Sequence, residues 1–180
     1  MGAGLGGSAG HEASGNRHPG AGRLVIGIGN TLRQDDGVGW RVAETLAARV
    51  EAGALVGLEA LAVQQLTPEL VEPIAAAGAV VLVDAVITAP AGAGPTELEP
   101  LRLERLHPAG TSARPPLTHH ATPADLLALA MALHGTGPTA WQLLIPIAAS
   151  ATGFGEELSP GASARLAEAL DLLTAWVRHA

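Results

Sequence analysis

Apolar and polar positions follow two rhythms that alternate along the chain. Leu24–Ile28 is an unbroken apolar run between Arg23 and Gly29-Asn30, too short for a buried helix and so expected to be a strand covered on both faces. Past a polar turn the rhythm changes. Val38, Val42, Leu46 and Val50, widened by Ala43 and Ala47, make one stripe at helical spacing, so a helix is expected to begin near Asp36 or Gly37. Leu55–Val63 fits a second strand that ends at Gln64-Gln65. Thr67-Pro68 then reads as an N-cap followed by proline at the first helical position, with Leu66, Leu70 and Ile74 as the apolar face and Pro73 shortening the helix. Ala79–Val83 is the clearest buried strand in the chain, and it closes on Asp84.

Residues 85–116 are rich in Gly, Pro and Ala and read as loop, except that Thr96–Leu103 alternates apolar with polar positions as an edge strand or hairpin arm would. Thr122 as N-cap, Pro123 at N1 and Asp125 at N3 mark a helix start, continued by Leu126, Leu129, Ala130 and Leu133 up to Gly135. Ala140–Ile147 supplies a further strand, its last part confined by Pro146 to an edge or terminus of the sheet. Ser159-Pro160 opens the last helix, with Leu166, Leu170, Leu173 and Val177 on one stripe. Strands alternating with helices give an α/β fold: a single-domain, three-layer α/β/α arrangement around a mostly parallel sheet.

Composition narrows the function. A chain of 180 residues suits one domain with a sizeable core. The formal net charge of -7, the absence of Lys and a single Phe with three Trp and no Tyr argue against a nucleic-acid partner. There is no cysteine, which removes disulfides, thiolate metal sites and cysteine nucleophiles together. Residues 1–22 are rich in Gly, Ala and Ser without an apolar core, and are expected to form a disordered leader ahead of the domain at 23–180. No apolar run approaches the roughly 20 residues needed to cross a bilayer, so no membrane association is expected and the cytoplasm is the expected compartment.

The polar residues at the ends of predicted strands carry the chemistry. Asp35 and Asp36 follow the first strand, and in an open parallel sheet that is where ligands gather. Helix capping accounts for one acid at such a position and less well for two. Gly27-x-Gly29 after a strand has the start of a dinucleotide fingerprint, but the position of its third glycine is Leu32. Asp84 ends a central strand, and the pair His119-His120 stands just before a helix. If those strand ends are neighbours, two carboxylates and an imidazole can hold a metal ion with open positions, polarise a carbonyl and activate water.

The segment Gly27-Ile-Gly-Asn30-Thr-Leu-Arg-Gln-Asp35-Asp36-Gly-Val-Gly39 resembles the amino-terminal motif of the hydrogenase maturation proteases. Gln65-Leu-Thr-Pro-Glu-Leu70, Val83-Asp84-Ala85, Thr118-His119 before the Leu126-Leu127 helix, and Gly155-Glu-Glu-Leu-Ser-Pro160 follow in that family's order, so the resemblance covers the chain from about Arg23 onward. It implies an endopeptidase, expected to be a monomer, that removes the carboxyl-terminal extension from the large-subunit precursor of a [NiFe] hydrogenase once nickel is inserted. It also implies that the metal-binding and catalytic roles fall on Asp36, Asp84 and His119, with His120 as the alternative to His119.

Two departures accompany the resemblance. Many relatives carry Glu at the position of Asp36, and many carry Asp-Gly-Gly-Thr where this chain has Gln64-Gln-Leu-Thr67, as in a subgroup associated with cytosolic, NAD-linked or regulatory hydrogenases. No Ser-His-Asp or Cys-His pattern stands out, which leaves two routes: recognition of nickel already seated in the precursor, or a divalent metal carried by the protease itself. A non-proteolytic α/β metal- or ligand-binding module, or an escort scaffold for the precursor, remains the alternative function.

Overall fold

The computed structural model describes residues 22–89, 98–110 and 121–179; the leader up to residue 21 and both His119 and His120 lie outside them. Elements run in the order β1 (Arg23–Ile28), α1 (Val38–Glu51), β2 (Leu58–Val63), α2 (Val71–Ala76), β3 (Ala79–Ala89), β4 (Arg102–Leu106), α3 (Pro123–His134), β5 (Thr139–Ala148) and α4 (Pro160–His179). The five strands form one sheet in the order β2-β1-β3-β5-β4. All neighbours are parallel except β4, which pairs antiparallel with β5.

Unbroken apolar strands need cover on both faces, and the sheet has it. Val25, Val81, Val83, Leu143, Ile145 and Ile147 point to the face carrying α1 and α4, where Val38, Val42, Leu46, Leu173 and Val177 meet them. Leu24, Ile26, Ile28, Val80 and Leu82, one position out of phase, point to the opposite face and pack on Leu70, Val71 and Ile74 of the α2 region and on Leu126, Leu127 and Ala130 of α3. The result is the three-layer arrangement expected from the hydrophobic pattern. Thr122 and Asp125 form a reciprocal capping box on α3, and Gly135 ends it in the left-handed conformation (φ 76°).

Several boundaries differ from the sequence expectation for identifiable reasons. Residues 55–57 turn rather than extend, with Gly57 at φ 76°, so β2 begins only at Leu58. Of the expected arm Thr96–Leu103, Thr96 and Glu97 lie outside the described residues, and only Arg102 and Leu103 fall in the edge strand, which runs Arg102–Leu106 opposite Ala140–Leu144 of β5. β4 therefore stops short of Pro146, whose missing N–H costs no ladder bond on that side. Pairing with β5 also carries β3 on to Ala89, so Asp84 lies within the strand and not at its end.

Candidate active site

Two crossovers create the crevice. From β1 the chain passes through α1 on one face to β2, then returns through α2 on the other face to β3 on the far side of β1. The carboxyl ends of β1 and β3 therefore sit at a topological switch point, where connections diverge to opposite faces and leave an opening. Ladder pairing of β1 with β3 ends at Gly27 and Val83. The next residue on β3 is Asp84, and the turn that follows β1 carries Asp36.

Close backbone packing brings that turn over the strands. A Cβ at Gly39 would collide with the carbonyl oxygens of Ile28 and Val83, and one at Gly27 with the carbonyl oxygen of Gly39. Only residues without side chains let the start of α1 rest directly on both strand ends. Gly29 makes a similar approach to the backbone of Asp36.

The turn Gln34–Gly37 is a 3-10 helix, and neither it nor α1 has a side-chain cap at its N-terminus. Capping thus explains neither aspartate. Asp36 is partly exposed, and its Oδ2 accepts a hydrogen bond from the Asn30 N–H at 3.2 Å. Asn30 folds back through its own side chain, Oδ1 accepting from the Leu32 N–H at 3.0 Å. Asp35 is fully buried and faces the other way, accepting from the Ser159 N–H at 2.7 Å and the Ser159 hydroxyl at 2.6 Å.

Asp84 is half-buried, with Oδ1 accepting from the Ala85 N–H at 2.9 Å. Burial pushes its carboxyl up from the ordinary 3.8 to about 6; the Ala85 hydrogen bond opposes the rise and the negative charge of Asp36 adds to it. The two acids expected to act together are thus electrostatically coupled across the crevice. His119 and His120 precede Ala121, the first described residue before α3, which packs against the apolar cluster on the α2 and α3 face. Asp84 shares strand parity with Val80 and Leu82, whose side chains point to that same face. Among the described residues, no three His, Asp or Glu side chains form a metal-sized group.

A separate cleft of about 780 Å³ lies at the opposite, amino-terminal end of the sheet, lined by residues that include Arg23, Leu58, Glu72 and His134. It shares no residue with the crevice. Among the described residues no helix is long and apolar enough to cross a membrane.

The Asp35–Ser159 contact is the feature that sequence reading missed. Its partners are 124 positions apart, and the one available signal was the pair of motifs themselves, Asp35-Asp36 and Gly155-Glu-Glu-Leu-Ser-Pro160.

No protein-family model matches the chain, and no curated protein matches it in sequence. Solved structures do. The [NiFe] hydrogenase maturation protease HycI from Thermococcus kodakarensis KOD1 is similar with a TM-score of 0.59 and 23% identity, over 88% of this chain and 94% of that one. The hydrogenase maturating endopeptidase HybD from E. coli gives 0.56 and 22%, over 87% and 92%. The hydrogenase 2 maturation peptidase from Thaumarchaeota archaeon SCGC_AB-539-E09 gives 0.57 and 22%, over 87% and 97%. The chain has the fold of the [NiFe] hydrogenase maturation proteases over nearly the whole length of each.

Proposed function

We propose that this protein is an endopeptidase that removes the carboxyl-terminal extension from the large-subunit precursor of a [NiFe] hydrogenase after nickel has been inserted. The observation that carries the reading is the apposition of Asp36 and Asp84 at the switch point of this fold. A carboxylate whose pKa desolvation and a like charge raise to about 6 is costly to keep ionised, and a divalent cation seated against both acids would offset that cost. Their oxygen donors suit such an ion. His119, or His120 in its place, would complete the set: each lies within two residues of Ala121, a reach of at most roughly 7 Å along the chain, and Ala121 lies on the face toward which Asp84 points.

The nickel of the loaded precursor is part of the substrate in this reading. Asp36 and Asp84 recognise the loaded centre, and the peptide beside it is held at the mouth of the crevice. A bound divalent ion supplies Lewis acidity, polarising a carbonyl and lowering the pKa of water. Asn30 steadies Asp36 through its backbone N–H, and Ala85 does the same for Asp84. Asp84 in its deprotonated form binds the cation; when protonated it cannot, so processing is expected to fall off below about pH 6. A cytoplasmic, monomeric enzyme fits a chain without cysteine whose substrate is itself a folded protein.

The test is incubation of the purified protein with the nickel-loaded and the nickel-free precursor of its own organism, followed by intact-mass measurement. Release of one carboxyl-terminal peptide from the loaded form alone is the expected result. Retention of the extension by both forms would reject peptidase activity and favour the escort reading.

A further inference from the structure

The Gly155–Ser159 segment lies outside the pair of acids described above, yet it is anchored to the turn that carries Asp36 and to the helix that follows it. The Gln34 N–H donates to the Gly155 carbonyl at 2.7 Å, and the Gly155 N–H donates to the Leu32 carbonyl at 3.0 Å. Arg33 and Gly155 thereby form an isolated parallel bridge. The Arg41 guanidinium donates to the Glu156 carbonyl. At the centre, Asp35 takes two short hydrogen bonds from Ser159.

Placing a carboxylate in a fully buried position is expensive unless its charge is met. Here both oxygens are met by Ser159, the residue just before α4, a helix of 20 residues whose N-terminal end favours negative charge. Ser159 is itself fixed, its hydroxyl accepting from the Ala162 N–H at 3.2 Å. Asp35 is thus tied to a long rigid element packed against the sheet.

We propose that Asp35 and Ser159 are positioning residues that aim Asp36 into the crevice. Asp35 and Asp36 are consecutive in one 3-10 turn, where successive side chains diverge by about 120° because the turn holds three residues. Locking the Asp35 carboxylate on Ser159 fixes the rotation of the turn about its axis, and with it the direction of Asp36. The pair of bonds sets an angle, which a buried apolar contact would leave free. In this account the first and last motifs of the chain are two halves of one clasp.

The proposal rests on the reading of Asp36 as a site residue, and its test does not depend on peptidase activity. The Asn30 N–H is bonded to Asp36 Oδ2, whereas the adjacent Gly29 N–H is bonded to the Val63 carbonyl at 3.1 Å. Amide hydrogen exchange at these two neighbours separates a displaced Asp36 from a loosened fold. In Ser159→Ala and, independently, Asp35→Asn, exchange at Asn30 is expected to accelerate about tenfold or more with Gly29 unchanged. Ser159→Thr, which keeps the hydroxyl, should restore the unaltered rate. On nickel-loaded precursor the first two variants should lose about a hundredfold in kcat with KM retained, the cost of misplacing a catalytic group by about 1 Å.

Acceleration at Gly29 and Asn30 together would mean that the clasp is a stability anchor only, and would overturn the proposal. So would an unchanged Asn30 in both variants. If the unaltered protein cleaves no precursor but Asn30 alone responds, the peptidase reading fails while the positioning role stands.

Discussion

Replacing Asp84 with Asn should stabilise the protein at neutral pH. The carboxyl of Asp84 is pushed from 3.8 to about 6 in the folded chain, chiefly by burial. That difference corresponds to about 3 kcal/mol of preference for the neutral form. The pH dependence follows from linkage. Below about pH 4 the acid is protonated in both states and costs nothing. Between about pH 4 and 6 the unfolded chain releases its proton while the folded chain keeps it, so stability falls as pH rises. Above about pH 6 the full cost is present. Asn is neutral at every pH and keeps an oxygen to accept the Ala85 N–H. In urea denaturation with chelator present, Asp84→Asn is therefore expected to exceed the unaltered protein by up to about 3 kcal/mol at pH 7.5, or about 6 to 12 °C in Tm for a domain of this size. The gap should close at pH 4. A variant no more stable at pH 7.5, or a gap that persists unchanged at pH 4, would refute the assignment of Asp84 as a strained, desolvated acid held for function.

Gly39→Ala places a methyl group against the carbonyl oxygens of Ile28 and Val83, which cannot move aside, so it should cost about 1 to 3 kcal/mol by chemical denaturation and lower processing by lifting the turn of Asp36 off the strands. Thr122→Ala removes the reciprocal cap of α3 and should cost about 1 kcal/mol in the same assay. Deleting the leader before Arg23 should leave processing unchanged in the precursor assay, since its composition offers little apolar surface to bury.

Much of this was legible in the chain because local signals and global architecture agreed. The run Leu24–Ile28 and the stripe Val38, Val42 and Leu46 specify a buried strand and the helix that covers it, and both occur where the periodicity puts them. Thr122, Pro123 and Asp125 mark the start of α3 to the residue. The edges were harder. β4 is almost wholly exposed, so its sequence carries no burial pattern strong enough to set its register, and β3 runs past Asp84 only because β5 offers it a partner. Asp36 and Asp84 could be singled out from their positions after apolar runs. The separate duty of Asp35 could not, because its partner Ser159 becomes a neighbour only once α4 folds back across α1.

In the function proposed here, Asp36 acts through its negative charge at a cation-dependent cleavage site. Asp36→Asn preserves side-chain size and the oxygen that accepts the Asn30 N–H, and removes only the charge. The direct measurement is the intact mass of nickel-loaded large-subunit precursor after incubation with this variant, beside its urea stability. The expected result is a folded protein of at least normal stability that leaves the extension attached. Complete processing by Asp36→Asn would contradict it.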